Sequence, residues 1–275
     1  EQNTNGTVYT FYLRQNAKFS NGDPIKAEDL AWSFRRALSP ELASRYAFLA
    51  YDIKYGEAYN AGRSFVKDKD GNFLLARDFQ KQPPTAPANQ PAAAPAPTAE
   101  PVKTETAGAQ TNETPAAQTT ETTAANQNPQ TEFEKYITSP ERVTVPEKKE
   151  DQEKLFKDNP KLKAAIEGKE LVPVRGEDIG VEAVDEYTIR ITLKQSAPYF
   201  VGVLTHQLFS ALHRPTIEKH GSNWIKPGNM VSSGSHRLES WKPYDELVIV
   251  KEPNYWDAEN VTLEKIVFYP MDEQT

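Results

Sequence analysis

His206, His213 and His220 recur at intervals of seven in a chain with only 4 histidines. On one continuous helix that spacing would stack three imidazoles on a single face, an arrangement a divalent metal can use. Pro215 interrupts such a helix, and the stretch around His206 is largely apolar, so three unrelated surface or core histidines are the better reading. Ser235 precedes His236, the residue types of a nucleophile and its base. On an extended segment neighbouring side chains point to opposite faces, which predicts no Ser–His pair there. No Gly-x-Ser-x-Gly elbow occurs, and no glycine-rich phosphate loop ends in Lys-Ser or Lys-Thr. The acidic pairs Glu28-Asp29 and Glu177-Asp178 sit where helix starts and loops hold solvated charge, which gives a glycosidase little support. No catalytic set is legible, and no metal or cofactor is expected.

Aromatic side chains are the remaining candidates. Tyr46, Phe48, Tyr51, Tyr55 and Tyr59 crowd one stretch, and Trp224, Trp241, Tyr244, Tyr255 and Trp256 another. Such rings can line a ligand cleft, offering flat area with a polar handle. Ordinary core and rim packing accounts for most of them.

Composition removes whole classes. Acidic residues number 39 against 32 basic, a formal charge of −7, which argues against a nucleic-acid surface and its clustered Lys and Arg. No apolar run reaches the roughly 18 residues of a membrane-spanning helix. With 0 cysteines there are no disulfides, thiolate zinc sites or cysteine nucleophiles, though this leaves the compartment open. The 275 residues begin with Glu1, and residue 275 closely follows the strand-like run Lys265-Ile266-Val267-Phe268-Tyr269. The chain reads as an excerpt from a longer protein, with any leader peptide upstream.

The elements that position these residues follow from periodicity. Tyr9, Phe11 and Leu13 alternate with Val8, Thr10 and Tyr12, the period of a strand. Asn21-Gly22-Asp23-Pro24 reads as a turn. Leu30, Phe34, Ala37 and Leu38 then form the stripe of an amphipathic helix that Pro40 closes. Lys26, at its N-cap, offers no acceptor. Residues 83–130 hold 9 Pro, 13 Ala and 10 Thr, with Val102 as the only large apolar side chain. Such a tract cannot offset its ordering entropy by burial, and it is expected to be a disordered insertion. Beyond it, residues 155–168 read as helical with a break at Asn159-Pro160. A hairpin is expected from 181–184 and 187–193 about Asp185-Glu186. A short helix should follow Pro198 and another should span 215–220, with Gly221 as its stop. Strands are expected at 236–241, 246–251 and 265–269. Strands and helices without strict alternation indicate a mixed α/β or α+β fold.

Several runs, in order, carry a resemblance. Tyr9-Thr10-Phe11-Tyr12-Leu13-Arg14 and Ala17-Lys18-Phe19-Ser20-Asn21-Gly22-Asp23-Pro24-Ile25-Lys26-Ala27-Glu28-Asp29-Leu30 come first. Val181-Glu182-Ala183-Val184-Asp185-Glu186-Tyr187-Thr188-Ile189, Lys226-Pro227-Gly228-Asn229-Met230-Val231 and Glu252-Pro253-Asn254-Tyr255-Trp256-Asp257 follow. Together they closely resemble segments of the family 5 extracellular solute-binding proteins, the peptide-binding subunits of ABC importers, over about 8–62 and 166–272. Ser44-Arg45-Tyr46-Ala47 and Glu218-Lys219-His220-Gly221 look like the oligopeptide-binding branch. Ser233-Gly234-Ser235-His236 departs from the family's usual Asn-Gly followed by Pro or Ala and Tyr, with Gly234 keeping the backbone-permissive position.

The resemblance implies a periplasmic-binding-protein-like two-lobed fold that closes over an extended peptide and docks on a membrane permease, with no chemistry performed on the ligand. It places 1–82 and 131–210 in a small lobe, interrupted by the insertion, and 211–275 at the start of the return into a ligand-binding lobe. The expected partners are an oligopeptide and an ABC permease, and the expected location is the periplasm or the outer face of the cytoplasmic membrane. Only Tyr46 matches a family position that faces the ligand. The family also holds binders of dipeptides, nickel chelates, heme and sugars. From other classes, an adhesion or structural protein with the Pro/Ala/Thr tract as its stalk and a hydrolase stand as alternatives.

Overall fold

Alternation in the first strand and a 3.6-residue stripe in the first long helix set the architecture. The computed structural model describes residues 1–79 and 132–271; the expected disorder of 83–130 lies outside the described residues. Strands run in chain order as β1 (Val8–Tyr12), β2 (Arg63–Lys67), β3 (Thr144–Pro146), β4 (Glu170–Pro173), β5 (Val181–Ala183), β6 (Thr188–Thr192), β7 (His236–Lys242), β8 (Glu246–Lys251) and β9 (Lys265–Phe268). Helices are α1 (Ala27–Leu38), α2 (Gly56–Asn60), α3 (Glu132–Thr138), α4 (Lys149–Asp158), α5 (Pro160–Ile166), α6 (Phe200–Val203) and α7 (Arg214–His220). The strands form three antiparallel sheets, ordered β1-β6-β5, β3-β2-β4 and β7-β8-β9.

The first sheet is the hairpin read from sequence, with β1 added along β6, and Tyr9 opposite Ile191. α1 lays its stripe on this sheet, burying Ala27, Ala31, Phe34, Ala37 and Leu38. Its N-terminus has no side-chain cap from Lys26; Asp29 instead accepts the Lys26 amide at 2.8 Å. That reach back from the first turn satisfies an amide just outside the helix and places negative charge at the positive end of its dipole.

The second sheet was not evident in the sequence. In β2, Phe65 and Val66 point to opposite faces and both are buried. Phe65 joins Tyr55, Ile137 and Val174 on one side, and Val66 joins Val143, Val145 and Leu162 on the other. The Arg142 guanidinium lies 3.8 Å from the centre of the Phe73 ring and 4.4 Å from that of Tyr136. Burial pushes the Tyr55 phenol up to about 12, and its oxygen accepts the Arg142 amide at 3.0 Å.

The third sheet attaches through the 17–24 turn. Ser20 donates its amide to the Ser232 carbonyl at 2.8 Å, and the Arg14 guanidinium sits 4.0 Å from the centre of the Trp256 ring. Asp23 bonds the buried His213 at 2.9 Å. β7 carries a register shift between Leu238 and Ser240. Leu238, Trp241, Leu247 and Ile249 share a groove with Ile225 and Met230.

Gly180 is the tightest backbone approach in the first sheet. Its amide donates to the Lys54 carbonyl and its own carbonyl accepts the Thr192 amide, both at 2.8 Å. A Cβ there would overlap the Thr192 carbonyl oxygen and stand 3.2 Å from the Lys54 Cβ. Backbone cannot yield as a side chain can. Gly180→Ala is therefore expected to cost about 1–3 kcal/mol, read as a lowered urea midpoint in the full-length protein; an unchanged midpoint would show that the strand edge accommodates the methyl.

Candidate functional site

Tyr46 lies in the connection between α1 and α2, and the local sequence explains its exposure. Pro40 ends α1 and opens a 3-10 turn (Pro40–Leu42), after which Ala43 turns the chain at φ 48°. A second 3-10 turn (Ala47–Ala50) follows, with Tyr46 at its N-cap. A 3-10 turn eclipses positions three apart, so Ala47 and Ala50 share one side, and both are buried in the first core. Tyr46 and Phe48 are left facing outward, 49% and 58% exposed. Two small residues thus hold two large aromatic ones at the surface.

The second wall comes from the segment around α6. Its Phe200 is fully buried against Tyr9, with ring centres 5.5 Å apart. Tyr199 and Val201 on either side face outward, and the Tyr199 hydroxyl donates to Asp52 at 2.9 Å. Three residues beyond α6, the His206 ring lies 4.9 Å from the Tyr46 ring, tilted by 50°. The result is an outward Tyr46 face flanked by a partly buried His206 ring, both on rigid supports, which can take up a flat or extended ligand. The strongly perturbed groups lie elsewhere. Burial raises the Tyr136 phenol and lowers the Lys54 amine inside the packing between the first two sheets.

The structure divides the aromatic stretches. Tyr55 and Tyr59 pack in the cores, and Tyr51 bonds Asn60 at 2.7 Å, whereas Tyr46 and Phe48 are exposed. In the other stretch Trp256 stacks under Arg14, and Tyr244, at φ 66° in the β7–β8 turn, is 85% exposed. The three spaced histidines have separate surroundings. His213 is buried between Asp23 and Thr216, His220 is the last residue of α7, and His206 sits beside Tyr46. His206 is the residue that sequence reasoning missed, because its neighbour lies 160 positions earlier.

Two expectations need correction. Ser235 and His236 do not point apart: the Ser235 Oγ is 3.0 Å from the His236 Nδ1. Ser235 lies in the bend before β7, where the alternation of an extended strand does not apply. The other ring nitrogen, Nε2, is held by the Leu263 carbonyl at 2.9 Å, so Nε2 donates there and Nδ1 accepts from serine. A neutral carbonyl orients the ring but lacks the charge with which a buried carboxylate stabilises an imidazolium. Gly234, expected to need backbone freedom, has no positive φ, and a Cβ there would meet only the His236 carbonyl oxygen at 4.0 Å.

Comparison with known proteins decides what this scaffold is. The profile of the bacterial extracellular solute-binding proteins, family 5 Middle, matches residues 1–275. The chain belongs to this family. The relatives and solved structures that this family 5 chain resembles carry the names of binding proteins. The periplasmic oligopeptide-binding protein OppA of Salmonella typhimurium is 31% identical over 97 residues, 35% of this chain and 18% of that protein. The periplasmic murein peptide-binding protein MppA of Escherichia coli is 31% identical over 112 residues, 41% of this chain and 20% of its own length. The solved structure of Burkholderia pseudomallei OppA superposes with a TM-score of 0.55 at 18% identity, covering 98% of this chain and 32% of that one. The mixed α/β, periplasmic-binding-protein-like fold is thus shared, and the chain spans about a third of that structure. Among the described residues no helix is long and apolar enough to cross a membrane.

Proposed function

We propose that this family 5 chain is part of the substrate-binding component of an ABC importer. It captures oligopeptides in extended form outside the cytoplasmic membrane, or in the periplasm, and delivers them to a membrane permease. The observation that carries this reading is the family match along residues 1–275, joined to relatives named for binding oligopeptides and murein peptides. In this reading residues 1–82 and 131–210 form most of a small lobe, and 211–275 begin the return into a ligand-binding lobe. The described architecture supports that division: α2 links the first two sheets, its Tyr59 packing against both of their cores, while the third sheet joins through the 17–24 turn.

Tyr46 is the residue that contacts the peptide. It is half exposed on a loop pinned by Ala47 and Ala50, so its ring is presented without carrying the fold. Tyr46→Ala in the full-length protein is expected to weaken peptide binding by about 1–3 kcal/mol, with little change in unfolding midpoint. Titration calorimetry with a mixed tri- to pentapeptide pool reads the first and urea unfolding the second. Unchanged affinity with lowered stability would assign Tyr46 to packing and remove it from the site.

A further inference from the structure

His206 does two things at once. Its ring covers one flank of Tyr46 at 4.9 Å, and its Nδ1 accepts the Leu208 amide at 3.1 Å, capping the 3-10 turn Gln207–Phe209. A neutral imidazole has one acceptor nitrogen and one N–H, so the bond to Leu208 places the proton on Nε2. That Nε2 has no hydrogen-bond partner among the described residues, and it is not one of the unpartnered atoms sealed from solvent. His213 and His236 differ: each engages both ring nitrogens, with Asp23 and Thr216 in one case and Ser235 and Leu263 in the other. His206 therefore holds an oriented, accessible N–H donor beside a half-exposed tyrosine face.

A fixed donor needs an acceptor. In an extended peptide the group that recurs at every residue, whatever the side chains, is the main-chain carbonyl oxygen. We propose that His206 is a second ligand contact, donating its Nε2–H to a main-chain carbonyl of a peptide lying against the exposed part of Tyr46. The inference rests on the reading of Tyr46 as a peptide contact and extends it. The tyrosine supplies flat apolar area, the histidine supplies direction, and neither reads side-chain identity. The cap to Leu208 is what keeps the donor aimed, because rotating the ring would cost that bond.

The competing role for His206 is the cap alone, and substitution separates the two. Serine is a good N-cap acceptor too short to reach a ligand, so His206→Ser keeps the Leu208 bond and withdraws the donor. Glutamine returns an amide donor of similar reach. Titration calorimetry on the full-length protein with tri-, tetra- and penta-alanine isolates main-chain recognition. His206→Ser should bind about three- to tenfold more weakly at an unchanged urea midpoint, and His206→Gln should recover most of that loss. In wild type labelled at histidine, the Nε2 nitrogen resonance should move on saturation with peptide. If Tyr46→Ala weakens binding while His206→Ser binds as wild type does, this inference falls and the Tyr46 reading stands. If Tyr46→Ala also binds as wild type does, or wild type binds none of the three peptides, both fall. Should His206→Ser fail to fold, the wild-type resonance decides, and a signal unmoved by bound peptide overturns the proposal.

Discussion

Phe200→Ala is expected to lower the unfolding free energy of the full-length protein by about 3–5 kcal/mol, the range for emptying a buried phenylalanine site. Phe200 has no exposed surface and fills the first core between α6 and the sheet, with Tyr9 5.5 Å away and Ile53, Val181 and Ile191 in the same cluster. Its neighbours in that cluster come from β1, β5, β6 and the 44–53 connection, so the cavity cannot close by moving one element. The loss should extend to the site. α6 is only four residues long and holds its orientation through Phe200; Tyr199, Val201 and, further on, His206 take their outward positions from it. Phe200→Leu, which keeps most of the volume, should cost well under half as much. Urea unfolding of the two variants checks the ranking. Equal losses would mean that retained volume recovers nothing and that the shape of the ring carries the packing.

How much of this was legible beforehand depends on the distance over which each contact acts. The first sheet and α1 are readable because their large apolar side chains share one face: Tyr9 and Ile191 pack inward, while Tyr12 and Arg190 turn to solvent or to ion pairs. Gly221 stops α7 at φ 52°, as its position after His220 suggested. The β7, β8 and β9 ranges agree within a residue for the same local reason. The second sheet was not readable. β2 is buried on both faces, so Phe65 and Val66 give no alternation, and its partners β3 and β4 are short, end at Pro146 and Pro173, and lie about a hundred positions away. The site divides in the same way. Tyr46 stands in a run that resembles a family motif, and its exposure follows from local 3-10 geometry. Sequence shows neither the place of His206 beside Tyr46 nor the use of one of its ring nitrogens by a cap. Strand alternation starts at His236, and Ser235 lies one residue outside it, in a bend that turns its hydroxyl toward the imidazole.

The same logic of remote partners gives the other large effect. Lys54 is 7% exposed, and its ammonium donates to the Ile137 carbonyl at 2.5 Å and the Ser139 carbonyl at 2.7 Å. These oxygens lie at the C-terminal end of α3, where the helix dipole is negative and the last carbonyls lack partners within the helix. Among the described residues Lys54 makes no ion pair within contact distance; the helix end holds the ammonium directly, and the more distant Glu141 carboxylate and the Tyr55 ring, 5.5 Å away, add to its compensation. Lys54→Met keeps the aliphatic stem but leaves both carbonyls without a donor, and is expected to cost about 2–4 kcal/mol. The pH dependence has a definite sign. Burial holds the folded-state pKa of Lys54 below its ordinary 10.5. Between that lowered value and 10.5 the folded state binds fewer protons at this site than the unfolded state does. Stability from this titration therefore rises as pH increases through the window. Methionine cannot titrate, so the gap between wild type and Lys54→Met should widen as pH climbs from 7 toward 10.5. The neutral amine still donates to both carbonyls, and no longer carries a buried charge. A gap that narrowed with rising pH would mean that the charged form is the one the fold prefers, and that the α3 carboxyl end outweighs the desolvation that burial imposes.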